Sequence, residues 1–328
     1  MTSQDGVAIG SSRSFLEPDE FHAAIRGGNG ILSLLGNGTY AANLTTIQVG
    51  RLTLQRGREN LSRISSSAMP PNRVGVLGWI GDSAPPVVRG RQMRQGEWLC
   101  LGLGMQSQHR TSGPVDFVAL TLDADDLARA ATEISGTSLV ITAGAVLHVP
   151  TQVHAWLSAV IEAATLAVTA TPEIFKSPIS ADALEHALLR PMVMCLMSGQ
   201  ATQESNRHRR RVDIARQFLA EVETSVDCAL SIPALARVLG VSQRGLRDLC
   251  EEQLGISPVR FVLLRRLHLT RRALLRSDHH TSSVTEIALD YGLWNLGRFA
   301  VTYKSVFGES PSATLRRPPG RAGGSDLI

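Results

Sequence analysis

Along the first 150 residues the apolar positions come in short runs separated by Gly and Pro, at residues 44–54, 74–80, 98–103 and 117–122. Runs of this length, rich in Val, Leu, Ile and aromatic residues, predict the strands of a small antiparallel barrel or sandwich. From Asp123 the pattern changes. Asp123 stands where it caps a helix through about Ile134, and Gly136 lies just past the end. Two longer Ala- and Leu-rich stretches, 152–168 and 181–197, predict helices, and Pro191 is expected to kink or break the second. Residues 200–211 are polar, with no apolar side chain between Ala201 and Val212, and predict a linker running into a basic helix start. The Pro- and Gly-rich end, residues 318–328, predicts a frayed tail.

Beyond the linker the sequence repeats itself. Leu246, Cys250, Gly255 and Pro258 recur as Phe299, Tyr303, Gly308 and Pro311, each 53 positions later, while Ala236 and Gly240 recur as Ala288 and Gly292 at 52. One residue inserted in a turn, with both helical registers kept, is what a duplicated helix-turn-helix shows. In the first copy Ile232, Leu235, Ala236 and Leu239 form one apolar helix face, and Gly240 supplies the left-handed residue that ends it. Ser242 then caps a helix that buries Leu246, Leu249 and Cys250 and turns Gln243, Arg244 and Arg247 outward near its start. In the second copy Phe299, Tyr303 and Phe307 face inward, and Asn295, Arg298, Thr302 and Lys304 face out. Arg pairs with guanine O6 and N7, and Asn with adenine N6 and N7, so these are candidate readers of base edges. The Arg-rich stretch 258–277 predicts a long helix joining the copies, its charges directed mainly at phosphates.

Charge sharpens this picture. From Arg207 onward there are 19 Arg or Lys against 12 Asp or Glu, a net +7, while the preceding 206 residues hold 14 against 17, a net −3. A basic C-terminal third fits a polyanionic partner. The chain is 43% hydrophobic and 19% charged over 328 residues, the balance of a folded two-domain protein. No uninterrupted apolar run of membrane-spanning length and no secretory signal is read, so a cytoplasmic location without membrane association is expected. Cys100, Cys195, Cys228 and Cys250 form no CxxC pair and are expected as reduced, buried thiols, with no metal or cofactor.

The stretch SVTEIALDYGLWNLGRFAVTYKSVFGESPSATLRR, with GISPVRFVLLRRL before it, resembles the signature of the AraC/XylS family of regulators, its XylS-like branch in particular. The resemblance covers about residues 210–317. It implies two helix-turn-helix units entering adjacent major grooves of double-stranded promoter DNA, activation by contact with RNA polymerase, and a small-molecule effector bound in the N-terminal domain. By position it implies Arg244 and Arg298 as the principal base readers. Val301 stands where XylS-like members tend to carry an acidic residue, so the DNA site should differ there; Leu293 replaces the usual Phe.

The fold class that follows is α+β. A cupin-like β-barrel or sandwich with trailing helices occupies residues 15–199, serving effector binding and, through helices 152–197, homodimerisation. An all-α DNA-binding domain with two helix-turn-helix units joined by a long helix occupies residues 212–317. Trp79, Trp98, Arg51, Arg91 and His109 are the candidate effector residues, aromatic walls with cations for an aromatic or other carboxylate. A regulator without ligand stays open as an alternative. A metal-dependent cupin enzyme would need an HxH with further His and Glu ligands, and His22, His109 and His148 lack that spacing, so no enzyme is expected.

Overall fold

The computed structural model describes residues 8–26, 32–81, 83–202, 205–224 and 231–317. Cys228 and the tail 318–328 lie outside the described residues. The chain divides into two compact units, Met1–Leu32 with Tyr40–His208, and Ser33–Thr39 with Arg209–Ile328.

The strands in chain order begin with β1 (Ile9–Phe15), β2 (Leu32–Leu34), β3 (Ala42–Val49), β4 (Leu52–Glu59), β5 (Arg63–Ala68) and β6 (Arg73–Trp79). They continue with β7 (Val87–Val88), β8 (Arg91–Gln92), β9 (Glu97–Leu101), β10 (Gln106–Arg110), β11 (Val115–Asp123), β12 (Val146–His148) and β13 (Gln200–Ala201). They build an eight-stranded sheet in the order β1, β3, β4, β11, β6, β9, β12, β13 and a five-stranded sheet in the order β2, β5, β10, β7, β8. The helices of this unit are α1 (Pro18–Ala24), α2 (Ala124–Ser135), α3 (Thr151–Ala170) and α4 (Pro178–Ser198).

Period-two alternation gives the large sheet two working faces. Leu52, Leu54, Val74, Val76, Trp98, Cys100, Val118, Leu120 and Leu122 form one core with Leu127 of α2, Leu157 and Ile161 of α3 and Leu188 of α4. The intervening residues, Gln55, Leu77, Trp79, Leu101, Phe117, Ala119 and Thr121, line a cavity instead. Trp98 lies over Gly78, where a Cβ would fall 2.4 Å from the indole. Arg56 ties α3 to the sheet: it is buried, pairs with Asp116 at 2.7 Å and Glu162 at 2.8 Å, and donates to Thr165 Oγ1 at 3.1 Å.

Two expectations change here. The run 44–54 is not one strand, because the chain turns at Gly50, with φ +50°, into the β3–β4 hairpin. Helix α4 runs unbroken through Pro191, whose ring is buried beside Leu188, Leu189, Met192 and Val193; packing there outweighs the one backbone bond a proline removes. Asp123 does cap α2, accepting from the Asp125 N–H, and Gly136 ends it at φ +73°. Helix α3 is also longer and more apolar than the sequence reading allowed, with a mean hydropathy of 1.4 over a membrane-length window. Its Leu157, Ile161, Ala164, Thr165 and Val168 are nevertheless buried in the core of this unit.

The second unit is helical: α5 (Asn206–Thr224), α6 (Ile232–Val238), α7 (Gln243–Leu254), α8 (Pro258–Arg276), α9 (Val284–Asp290), α10 (Leu296–Phe307) and α11 (Pro311–Leu315). The duplication holds at each punctuation mark. Ser231 and Ser283 cap α6 and α9, Ser242 and Asn295 cap α7 and α10, and Ser257 and Ser310 cap α8 and α11. Gly240, Gly255, Gly292 and Gly308 all have φ between +64° and +74°, the left-handed conformation that ends a helix at little cost only with glycine. Phe218 of α5 packs on Phe261 of α8 at 5.5 Å between ring centroids, and Phe299, Tyr303 and Phe307 stack along the inner face of α10.

Candidate functional site

Each helix-turn-helix exposes the first turns of its second helix. On α7, Gln243, Arg244 and Arg247 are exposed, opposite buried Leu246, Leu249 and Cys250. On α10, Asn295, Arg298, Val301 and Lys304 are exposed, opposite buried Phe299, Tyr303 and Phe307. The sequence-predicted residues then separate by what their polar atoms already do. Ser242 Oγ accepts from the Gly245 N–H at 3.0 Å, and Asn295 Oδ1 accepts from the Arg298 N–H at 3.0 Å. Thr302 is half-buried and its hydroxyl donates to the Arg298 carbonyl at 2.8 Å. Arg247 pairs along its own helix with Glu251 at 2.9 Å. Arg244 and Arg298 have no ion-pair or side-chain hydrogen-bond partner among the described residues, and each stands near the start of its helix. With its Oδ1 used as a cap, Asn295 keeps only its amide donors and loses the bidentate geometry that adenine requires.

Trp294 and Val301, 70% and 73% exposed, flank Arg298 with apolar surface. The sequence reading missed Trp294, although a tryptophan beside a helix N-cap on a polar face is itself a signal. The arginines of the joining helix α8 are less available to phosphates than expected. Arg265 and Arg271 are buried, and Arg271 pairs with Glu309 at 2.6 Å while its guanidinium lies over the Phe307 ring at 4.9 Å. Partial burial opposes ionisation of Glu309, but hydrogen bonds from Arg271 and Thr314 outweigh it and hold the carboxyl below the usual range. This pair locks α8 to the segment after α10.

In the first unit the cavity of about 70 Å³ lies between unlike walls. One wall is the apolar row of Leu77, Trp79, Leu101, Phe117 and Ala119 from the large sheet. The other comes from β5 and β10, whose register places Ser65 opposite His109 and Ser67 opposite Ser107. All four of those side chains line the cavity. His109 is 7% exposed and its ring lies 5.9 Å from that of Trp79. Burial first, and then the nearby Arg63 and His22, push its pKa down to about 3, so the imidazole is neutral.

Of the five predicted effector residues, the structure brings Trp79 and His109 to this cavity and leaves three away from it. Trp98 is on the opposite face of the sheet, its indole N–H donating to His154 Nδ1 at 3.2 Å on α3. Arg51, in the β3–β4 turn, pairs with Asp126 and Glu185. Arg91 of β8 pairs with Glu97 at 2.5 Å. Each of these charges is matched by a carboxylate within the fold. Cys100, Cys195 and Cys250 are free and buried, and burial raises their thiols to about 11, 12 and 12. Among the described residues, one group of three potential metal donors occurs, the exposed consecutive Asp278, His279 and His280. Asp278 Oδ1 there accepts the His280 N–H at 2.9 Å.

Two helix-turn-helix pairs in tandem, each presenting an unpaired arginine from the start of its second helix, define a DNA-binding domain. A family model described as a helix-turn-helix domain matches residues 235–317. The "Probable thc operon regulatory protein" of Rhodococcus erythropolis is 36% identical over 147 residues, 42% of this chain and 44% of that one. The "XylDLEGF operon transcriptional activator 3" of Pseudomonas putida is 41% identical over 96 residues, 29% of each chain. A solved structure of a probable AraC family transcriptional regulator from Rhodopseudomonas palustris is 33% identical, covering 32% of this chain and 96% of that one with a TM-score of 0.30. The C-terminal part is a helix-turn-helix domain similar to those of AraC/XylS-type transcription regulators. The matched segments span 44% and 29% of the lengths of the two curated relatives.

Proposed function

We propose that the protein is a sequence-specific DNA-binding transcription regulator, an activator of a catabolic operon whose front unit responds to a small organic molecule. The observation that carries the DNA reading is the pair Arg244 and Arg298, exposed in the first turns of α7 and α10, two and three residues past the caps Ser242 and Asn295, and without a side-chain partner among the described residues. The names of the relatives, an operon regulator and an operon activator, support control of transcription and contact with RNA polymerase. The walled cavity in the first unit supports an effector. The exposed apolar side of α3, with Trp156 and Leu166, supports homodimerisation through the trailing helices.

Recognition helices seated in successive major grooves read positions about one turn, roughly 10 bp, apart. Arg244→Ala and Arg298→Ala should therefore each relax base preference at one such position, by about 1–3 kcal/mol for a bidentate pairing with guanine. Lys304→Ala should weaken binding evenly across sequences and lessen the salt dependence, as removal of a phosphate-binding cation does. Binding titrations of the full chain on systematically altered sites decide this. Equal weakening by both arginine variants on all sequences would assign them to phosphates and remove them as readers.

A further inference from the structure

The cavity between the sheets has a chemistry that the arginines chosen from sequence do not describe. Both ring nitrogens of His109 and the hydroxyl oxygen of Ser107 are buried with no hydrogen-bond partner among the described residues. A neutral imidazole offers one N–H donor and one acceptor nitrogen, and a serine hydroxyl turns to serve as either. Leaving three such atoms unmet in an interior is costly, so the wall suits an occupant that supplies both a donor and an acceptor. The opposite wall is apolar and contains the Trp79 and Phe117 rings. A space of about 70 Å³ holds about five waters, roughly the volume of one six-membered ring with a substituent.

The guanidinium beside His109 is already paired. Arg63 Nε donates to Glu59 Oε1 at 2.6 Å, and Glu59 Oε2 accepts the Tyr40 hydroxyl at 3.0 Å, so the guanidinium and its buried carboxylate form a closed neutral group. The other lining guanidinium, Arg26, is exposed, with Nη1 donating to the uncharged Gln48 Oε1 at 2.6 Å and Thr53 Oγ1 at 3.1 Å. A carboxylate set against Ser107 and His109 would be buried beside Arg63, whose charge Glu59 already matches, while the exposed Arg26 is not among the charges that act on His109; such burial is strongly unfavourable. We propose that this cavity takes a small uncharged molecule, an apolar ring or chain lying on Trp79 and Phe117 with a primary amide or alcohol group facing His109 and Ser107. As the identity of the effector, this rests on the reading of the front unit as an effector domain; as a binding site, it stands on the walls themselves.

The test uses the full chain with ring-labelled histidine, titrated at pH 7 with benzamide, benzyl alcohol and benzoate while the His109 resonances and the melting temperature are followed. Benzamide and benzyl alcohol should move the His109 signals and raise the melting temperature, and benzoate should bind about tenfold or more weaker. His109→Phe, which keeps a ring, and Ser107→Ala, which changes little else, should both lose the preference for benzamide, whereas Arg26→Gln should keep it. Benzoate binding as tightly as benzamide, with the advantage abolished in Arg26→Gln, would make this an anion site and overturn the proposal. So would the absence of any response at about 10 mM of all three, a concentration that detects even very weak sites. If benzamide binds as described but leaves affinity for promoter DNA unchanged, the site stands and the effector reading of the front unit falls.

Discussion

His109 is a residue whose burial has a measurable cost. Its neutral form is enforced by burial and by Arg63 and His22 nearby, with Trp79 and the serines of β5 and β10 completing its surroundings. With the folded pKa near 3 and the unfolded value near 6.5, the unfolded chain binds a proton between those limits that the folded chain does not. Stability must then fall as the pH is lowered through that window, by up to about 1.4 kcal/mol per pH unit from this group. His109→Phe removes the titration and two unpartnered nitrogens together. The variant should melt higher than the parent at pH 5 and differ less at pH 7. Thermal unfolding at the two pH values checks this, and an unchanged difference between them in the variant would mean that His109 is protonated in the fold. Arg271 and Glu309 show the opposite case, an ion pair made inside the domain by an arginine whose stretch reads in sequence as phosphate-facing.

At the scale of elements, the caps carry the duplication as much as the apolar faces do. Ser283 and Glu286 form a reciprocal pair at the start of α9: Ser283 Oγ accepts the Glu286 N–H at 3.1 Å, and Glu286 Oε2 accepts the Ser283 N–H at 3.2 Å. Ser283→Ala should cost about 1 kcal/mol in denaturant unfolding with an unchanged slope. It should weaken DNA binding at the half-site read by α10 more than at the one read by α7. Equal effects on both half-sites would show that the two helix pairs do not fold as separable pieces. These helices were legible because Ser, Asn, Gly and the apolar period each have a local cause. The strands β5, RISSSA, and β10, QSQHR, were not, because their polar side chains face the cavity and supply no apolar alternation. The same blindness misplaced the effector residues. Trp98 and Leu101 sit three apart on one strand and so point to opposite faces, a distinction that depends on register and not on residue type.

At the scale of the whole molecule, the question is how many copies meet the DNA. On the proposed reading, one chain with its two recognition helices would occupy two successive major grooves, about 20 bp of duplex. The exposed side of α3 carries Trp156 and Leu166, and Ile179 at the start of α4 is more exposed still, at 84%. Large apolar side chains on a helix that is already buried along its other side suit a self-complementary contact with a second copy. If that contact forms, the wild-type chain sediments as a dimer and its footprint extends to about twice the length one chain covers. Trp156→Glu combined with Leu166→Glu should yield a monomer with a single-copy footprint, still sensitive to Arg244→Ala and Arg298→Ala, because those arginines lie in the other unit. Its affinity for a two-copy site should fall far more than for a one-copy site, since the second binding event is no longer intramolecular. A wild-type chain that sediments as a monomer at micromolar concentration, or a double variant that still dimerises, would remove α3 as the contact and leave one chain per site.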